Sequence, residues 1–295
     1  MIIAIAGGHR GAGRTTVATD LALTLMQTGR DLGLSGRVAL VDADVEQPAT
    51  DLLLRPLIRE RGEVSMPLPR VNERCTGQGR CAEVCRFHAI ALYEGRPVVS
   101  PELCCGCGLC LSECPEGALE EDRQPLGSVQ MGRVGSMTWV GGRLDMGASW
   151  PRPLIGEAIR WATRRSCEFV IVDGPAGAGP PALEAMRAGD LALVVVEPSA
   201  LGLAALQRTL SAAREHLSLP VMVVINKRPP GAEVGAGAEL VAYCRQERVP
   251  IMARIDIDER APSARARGVP LIVANPERIA LFQEFYRTLL QGVGV

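Results

Sequence analysis

Eight of the ten cysteines fall between Cys75 and Cys114, at intervals short enough for one loop to aim several thiolates at a point. The second run reads Cys104-x2-Cys107-x2-Cys110-x3-Cys114-Pro115, and the first keeps the same frame as Cys75-x5-Cys81-x3-Cys85, with Gln78 at its second ligand position. Thiolates spaced in this way bind soft metals. An iron–sulfur cluster is the chemistry that such tight loops serve; a zinc ion held by four thiolates is the other reading. Cys105 stands outside the frame, as a spare thiol or a substitute ligand. Clustering of this kind argues for cofactor ligation in a reducing cytosol rather than a disulfide framework, so the expected location is cytoplasmic.

A second constellation lies at the amino end. The apolar run Ile2–Ala6 leads into Gly8-His9-Arg10-Gly11-Ala12-Gly13-Arg14-Thr15-Thr16. The phosphate-loop pattern is G-x4-G-K-[ST] between a strand and a helix. Gly8, Gly13 and Thr15 fit it, while Arg14 takes the lysine position. Backbone N–H groups and a helix N-terminus bind phosphate whatever that side chain is. Arginine keeps the charge but is bulkier and planar. Thr15 would hold Mg²⁺ through its hydroxyl. Two further apolar runs end in carboxylates, Val38–Val41 before Asp42 and Asp44, and Val170–Val172 before Asp173. Strand-end aspartates lie at the carboxyl edge of a parallel sheet, where they bind Mg²⁺ or position water.

Strand-like runs recur at 169–172, 191–196, 221–225 and 251–255, with helix-like segments at about 15–27, 153–166, 181–188, 201–216 and 237–247. This alternation predicts an α/β fold with a parallel sheet and helices on both faces. It breaks between about 65 and 122, which predicts an inserted domain there. The rest, 1–64 and 123–295, forms a discontinuous α/β domain with a strand near Met137–Val140. Cys167 and Cys244 are expected singly in secondary structure. The last segment places Ile279, Phe282, Phe285, Tyr286, Leu289 and Leu290 at helical spacing, as for core packing. A net charge of −1 offers no basic surface to nucleic acid. The N-terminus is not that of a signal peptide, and no apolar run is long enough for stable membrane insertion. His88, three residues past Cys85, reads as a turn residue that could bond a cluster sulfide, and His216 as a helix-end residue.

Two resemblances follow from these residues. The cysteine runs are similar to bacterial-type two-cluster ferredoxins. That likeness implies one [4Fe-4S] cluster on Cys104, Cys107, Cys110 and Cys85, by the crossed ligation of that fold. It implies a second cluster on Cys75, Cys81 and Cys114, one thiolate short and therefore [3Fe-4S]. Nearly the whole chain resembles the MinD/ParA-type, or deviant Walker A, P-loop ATPases, in the subgroup with an inserted ferredoxin domain. The likeness implies Mg-ATP or Mg-ADP as ligand, residues 8–16 as its cradle and Asn226 as the base reader. Asp42 and Asp44 would lie in switch I and Asp173 in switch II, with Asp44 and Asp173 as catalytic candidates and Thr15 and Asp44 on Mg²⁺.

Glu197-Pro198-Ser199 and the segment from Pro250 to Pro270 fit the family as well. The family's loop carries two lysines; here their positions are His9 and Arg14, and Arg10 replaces the following glycine. No C-P-x-C motif follows Asp173, so a cluster bridging a dimer is not expected. The resemblance implies a homodimer, or a heterodimer with a MinD-type homologue, acting on a redox or metal-cluster-bearing protein. Two functions are expected: coupling of nucleotide state to electron transfer or cluster assembly, or a non-hydrolysing redox adaptor.

Overall fold

The computed structural model describes every residue except 30, 32, 34, 232, 233, 294 and 295, and only the backbone of 290–293. Short runs of β-branched and aliphatic residues, apolar on both faces, make the central strands. They are β1 (Ile2–Ala6), β2 (Val38–Asp42), β7 (Met137–Leu144), β8 (Phe169–Asp173), β9 (Leu191–Val196), β10 (Val221–Arg228) and β11 (Ile251–Asp256). Such runs are stable only with helices over both faces. Here α1 (Arg14–Thr28) and α11 (Arg278–Val293) cover one side. The other side is covered by α5 (Pro151–Thr163), α6 (Pro180–Arg187), α7 (Ala200–Leu217) and α8 (Ala236–Gln246). Ile3, Leu40, Ile171 and Leu193 are fully buried between these layers, each contributing about 1.5–3 kcal/mol.

Among the described residues the sheet has nine strands, in the order β11-β10-β9-β1-β8-β2-β7 and then β6 (Leu119–Val134) and β3 (Leu57–Val71). From β11 to β7 every pairing is parallel, so β1, β2 and β8 bring their carboxyl ends, and the loops after them, to one edge. The expectation of a wholly parallel sheet is corrected at the other side. There β6 and β3 pair antiparallel, β6 with β7 and β3 with β6. Both strands lie partly inside the stretch read as irregular, and the expected boundaries near 65 and 122 fall within them. In β3 exposed and half-buried side chains of mixed charge predominate, and in β6 exposed, half-buried and buried positions are interspersed, so no continuous apolar run was present to read. β6 pairs with Leu144, the last residue of β7, at Gly127 and then runs on past it with β3. The residues between β3 and β6 therefore project from the same sheet edge as the loop after β1.

The last helix packs as expected, with Phe282, Phe285, Tyr286 and Leu289 buried and the Tyr286 ring edge-on to Phe169 at 5.5 Å. The side chain of Leu290 lies outside the described residues. Cys244 sits in α8, but Cys167 falls in the turn between α5 and β8, a correction to the sequence reading. Among the described residues no helix is long and apolar enough to cross a membrane.

An ion pair unseen in the sequence ties α1 to the carboxyl end. Asp20, fully buried on α1, accepts from Arg278 Nε at 2.7 Å and from the Ile272 backbone N–H at 3.1 Å. Ile272 lies in the short helix α10 (Leu271–Ala274), which α9 (Ala261–Ala266) precedes. Burial raises the Asp20 carboxyl to about 6, against the pull of Arg278.

Candidate functional site

Residues 7–13 turn tightly between β1 and α1. Gly13 has φ 95°, and a Cβ there would lie 2.1 Å from Asn226 Nδ2, so only glycine fits. Asn226 donates to the Ala12 carbonyl at 2.8 Å, and Lys227 Nζ donates to the Gly11 carbonyl at 2.6 Å. Lys227 also meets Glu197 Oε1 at 2.7 Å, while His9 Nε2 lies 3.8 Å from Glu197 Oε2. Lys227 is the chain's only lysine, and it braces the loop rather than standing in its lysine position.

Arg14, buried, folds back over that loop. Its Nη1 donates to the carbonyls of Gly7 and His9, both at 3.1 Å, and its Nη2 lies 3.7 Å from Asp44 Oδ2. Burial lowers its pKa, opposed by the charges of Asp173 and Asp44. The guanidinium thus puts positive charge between the loop's carbonyls and Asp44. Arg10 reaches away, to the side-chain carbonyl of Gln47.

Asp42 and Asp173 stand side by side, as register partners on β2 and β8. One oxygen of Asp42 accepts from the Ala49 and Thr50 N–H groups and from the Thr50 hydroxyl, at 3.0, 2.8 and 2.7 Å. Thr50 begins the short helix α2 (Thr50–Leu54), and its hydroxyl is fixed in turn by Trp139 Nε1 at 2.8 Å. Asp173 is bonded by the Thr15 side chain. The second oxygen of each aspartate is buried without a partner. Burial raises both carboxyls, reinforced at Asp173 by the charges of Asp42 and Asp44 and at Asp42 by that of Asp44; burial also raises that of Asp44. Carboxylate oxygens left open beside a threonine hydroxyl suit a hard divalent cation. Thr15 and Asp44 both lie close to Asp173. Asp42 is committed to holding the chain at 49–50, a role for Thr50 and Trp139 that no motif announces.

Beyond β3 and β6, residues 72–118 form a lobe with two short helices, α3 (Arg80–Glu83) and α4 (Leu109–Ser112), and a hairpin of β4 (Ile90–Tyr93) and β5 (Arg96–Val99). The two cysteine runs repeat in conformation. Gly77 and Gly79 have φ 81° and 82°, and Gly106 and Gly108, at the same places in the second run, have 70° and 73°. Cys85 Sγ accepts from the Ala89 N–H and Cys114 Sγ from the Ala118 N–H, both at 3.3 Å and both four residues on. His88 and Gly117, the residues before those donors, both have positive φ, 52° and 56°. His88 is exposed and serves the turn; His216 is exposed at the end of α7.

The sulfurs fall into two sets. Cys81 feels the charges of Cys114 and Cys75, whereas Cys104 feels those of Cys107 and Cys85, and Cys110 those of Cys104 and Cys107. Burial, reinforced by these like charges, raises the thiols of Cys81 and Cys104, and pushes Cys110 up to about 11. All ten cysteines are free thiols. Two sets of sulfurs, buried or half-buried except at the exposed Cys107, that repel one another as thiolates around glycine turns and N–H donors fit cationic clusters. Among the described residues no group of three or more His, Cys, Asp or Glu is drawn together as for a single metal ion. Cys105 lies beside Cys104 and Cys107 and lines the same hollow as the second set. Gln78 instead donates to Glu116 Oε1 at 2.9 Å, and Glu116 also accepts from the Thr76 N–H at 2.9 Å. Phe87, on the rim of that hollow, meets Trp150 at the start of α5 edge-on at 5.2 Å.

The sequence profile of the CobQ/CobB/MinD/ParA nucleotide binding domain matches residues 3–271. The chain belongs to that family. It is 29% identical over 201 residues to an uncharacterised Methanocaldococcus jannaschii protein, MJ0578, covering 68% of each chain. An uncharacterised ATP-binding protein of the same organism, MJ0547, is 24% identical over 276 residues, 93% of this chain and 81% of that one. A shorter stretch of 39 residues is 46% identical to an uncharacterised ferredoxin of that organism, MJ0155, covering 13% of this chain and 26% of the ferredoxin. In fold, the chain is similar to the septum site-determining protein MinD of Pyrococcus horikoshii, solved with Mg-ADP. The TM-score is 0.58 at 18% identity, over 99% of this chain and 97% of that one.

Proposed function

We propose that this chain is an iron–sulfur protein that binds MgATP and couples nucleotide state to electron transfer, or to metal-cluster assembly, on a partner protein. The observation that carries this reading is the placement of both cysteine sets off the sheet edge that bears residues 7–16, Asp44 and Asp173. The ATP-binding relative and the ferredoxin-like stretch support its two halves. Backbone N–H groups of residues 8–13 would hold the phosphates, with Arg14 as the cation. Thr15, Asp44 and Asp173 would hold Mg²⁺, and Asn226 would turn from the Ala12 carbonyl to the base. Cys85, Cys104, Cys107 and Cys110 would hold a [4Fe-4S] cluster, and Cys75, Cys81 and Cys114 a [3Fe-4S] cluster. When bound, the clusters supply one-electron transfer. The protein's own contribution is to position the sulfurs, donate the Ala89 and Ala118 N–H groups to them, and shield them within the lobe's apolar core of Ile90 and Leu119. A homodimer, or pairing with a MinD-type homologue, belongs to the same reading.

A second reading is favoured by one observation. The Arg14 guanidinium already occupies the Gly7 and His9 carbonyls, and the loop lacks both family lysines. A chain that did not bind nucleotide would be a redox adaptor working beside an intact ATPase. Calorimetric titration of MgATP into anaerobically purified, cluster-loaded protein separates the two. Binding in the micromolar range, weakened at least ~tenfold by Arg14→Ala, is expected; absence of binding up to ~1 mM would leave only the adaptor.

The missing fourth thiolate of the first set gives a direct check. Gln78→Cys, which restores the frame of the second run, is expected to replace the paramagnetic signal of an oxidised [3Fe-4S] cluster with an oxidised, silent [4Fe-4S] cluster. An unchanged spectrum with unchanged iron content would contradict the three-cysteine assignment.

A further inference from the structure

Away from the loop and the lobe, a cavity of about 460 Å³ opens beneath α8, against the ends of β10 and β11. That is the size of a small-molecule site, in which an apolar lining carries a few polar groups. The room exists because α8 turns Gly237, Ala238 and Ala242 toward it. Pro198, Ile225 and Val241 add apolar surface, the polar groups are Arg228, Arg245 and Arg254, and no Asp or Glu lines the cavity among the described residues. Arg228 is held by Asp256. Arg245 and Arg254 form no ion pair among the described residues. An arginine in the last turn of a helix, or on an edge strand such as β11, needs no ligand by itself. Both arginines are exposed, and two of them on one cavity, with no carboxylate among its described walls, place like charges together that a bound anion would offset.

We propose that this cavity is a second binding site, for a small organic anion whose phosphate or carboxylate group is clasped by Arg245 and Arg254 while its body rests on Pro198, Ile225 and Val241. The site is separate from the nucleotide loop but adjoins it. Pro198 follows Glu197, which holds Lys227, and Ile225 precedes Asn226, which holds Ala12. An occupant would therefore bear on the two contacts that brace the loop. The inference stands whether or not the loop itself binds ATP.

The test is calorimetric titration of the cluster-loaded chain with ribose 5-phosphate, citrate and inorganic phosphate. It compares the natural protein with Arg245→Ala/Arg254→Ala and with Arg14→Ala. Saturable binding of ribose 5-phosphate or citrate below ~1 mM is expected. It should weaken at least ~tenfold in the double variant, with an unchanged melting temperature, and persist in Arg14→Ala. A stronger response to the ester assigns a phosphate ligand, and a stronger response to citrate a carboxylate. No saturation by ~10 mM, binding indifferent to the double variant, or loss only in Arg14→Ala would overturn the proposal. So would inorganic phosphate binding as tightly as either organic anion, because the apolar wall would then contribute nothing.

Discussion

Cys104→Ser is expected to remove one cluster and spare the other. Cys104 shares its surroundings with Cys85, Cys107 and Cys110, whereas Cys75, Cys81 and Cys114 form a separate set on the other side of the lobe's repeat. Iron should fall from about seven to about three atoms per chain, and the signal of the oxidised three-iron cluster should remain. Cys81→Ser should do the reverse, leaving about four iron atoms and no three-iron signal. Because each run contributes one cysteine to the other set, Cys85→Ser should act like Cys104→Ser although it lies in the first run. Iron analysis and paramagnetic resonance of the three variants check this pattern. If Cys85→Ser instead grouped with Cys81→Ser, the ligands would not cross.

Arg278→Met is expected to cost about 3–5 kcal/mol of stability, because it leaves the fully buried Asp20 without its cation. For a chain of this size that is a fall in melting temperature of about 10 °C. The sign of its pH dependence follows from the carboxyl. Burial already raises the folded Asp20 to about 6 from an ordinary 3.8, so its contribution to stability is fully present below the unfolded value and is lost as pH rises through the folded one. Removing Arg278, whose charge lowers that carboxyl, raises it further. The deficit of the variant should therefore be largest near neutral pH and should shrink as the pH falls toward 4. Thermal melts of both proteins across that range check it; a deficit that grew on acidification would exclude an ionised Asp20 paired with Arg278. The effect reaches the functional site, since Asp20 lies on the helix that starts at the phosphate loop.

Much of this molecule was legible from its sequence, and the reasons differ by region. The central strands were readable because strands buried on both faces are apolar at every position, as Leu191–Val196 shows. The cysteine sets were readable because ligand spacing is a local property, and the crossing of Cys85 and Cys114 came with the ferredoxin resemblance. The ribbon of β3 and β6 was not readable, since strands such as Arg59-Glu60-Arg61-Gly62-Glu63 bury little and carry charge. Long-range polar contacts left no local signal either. Asp20 with Arg278, Thr50 with Trp139, and Gln78 with Glu116 join residues far apart in the chain. The loop lay between these cases. Its glycines announced the turn, but only the fold shows Arg14 turned back onto the Gly7 and His9 carbonyls and Lys227 bracing it from β10.

The central claim is that nucleotide state and cluster chemistry are linked within this one chain, across a shared sheet edge. Linkage is reciprocal: if MgATP binds the oxidised and reduced forms differently, it must shift the midpoint potential, by about 59 mV for each tenfold difference in affinity. The measurement is a redox titration of the cluster-loaded protein, followed by paramagnetic resonance, with and without saturating MgATP. A shift of tens of millivolts in at least one cluster, abolished by Thr15→Ala, is the expected result. Identical potentials in the presence and absence of MgATP would contradict the account.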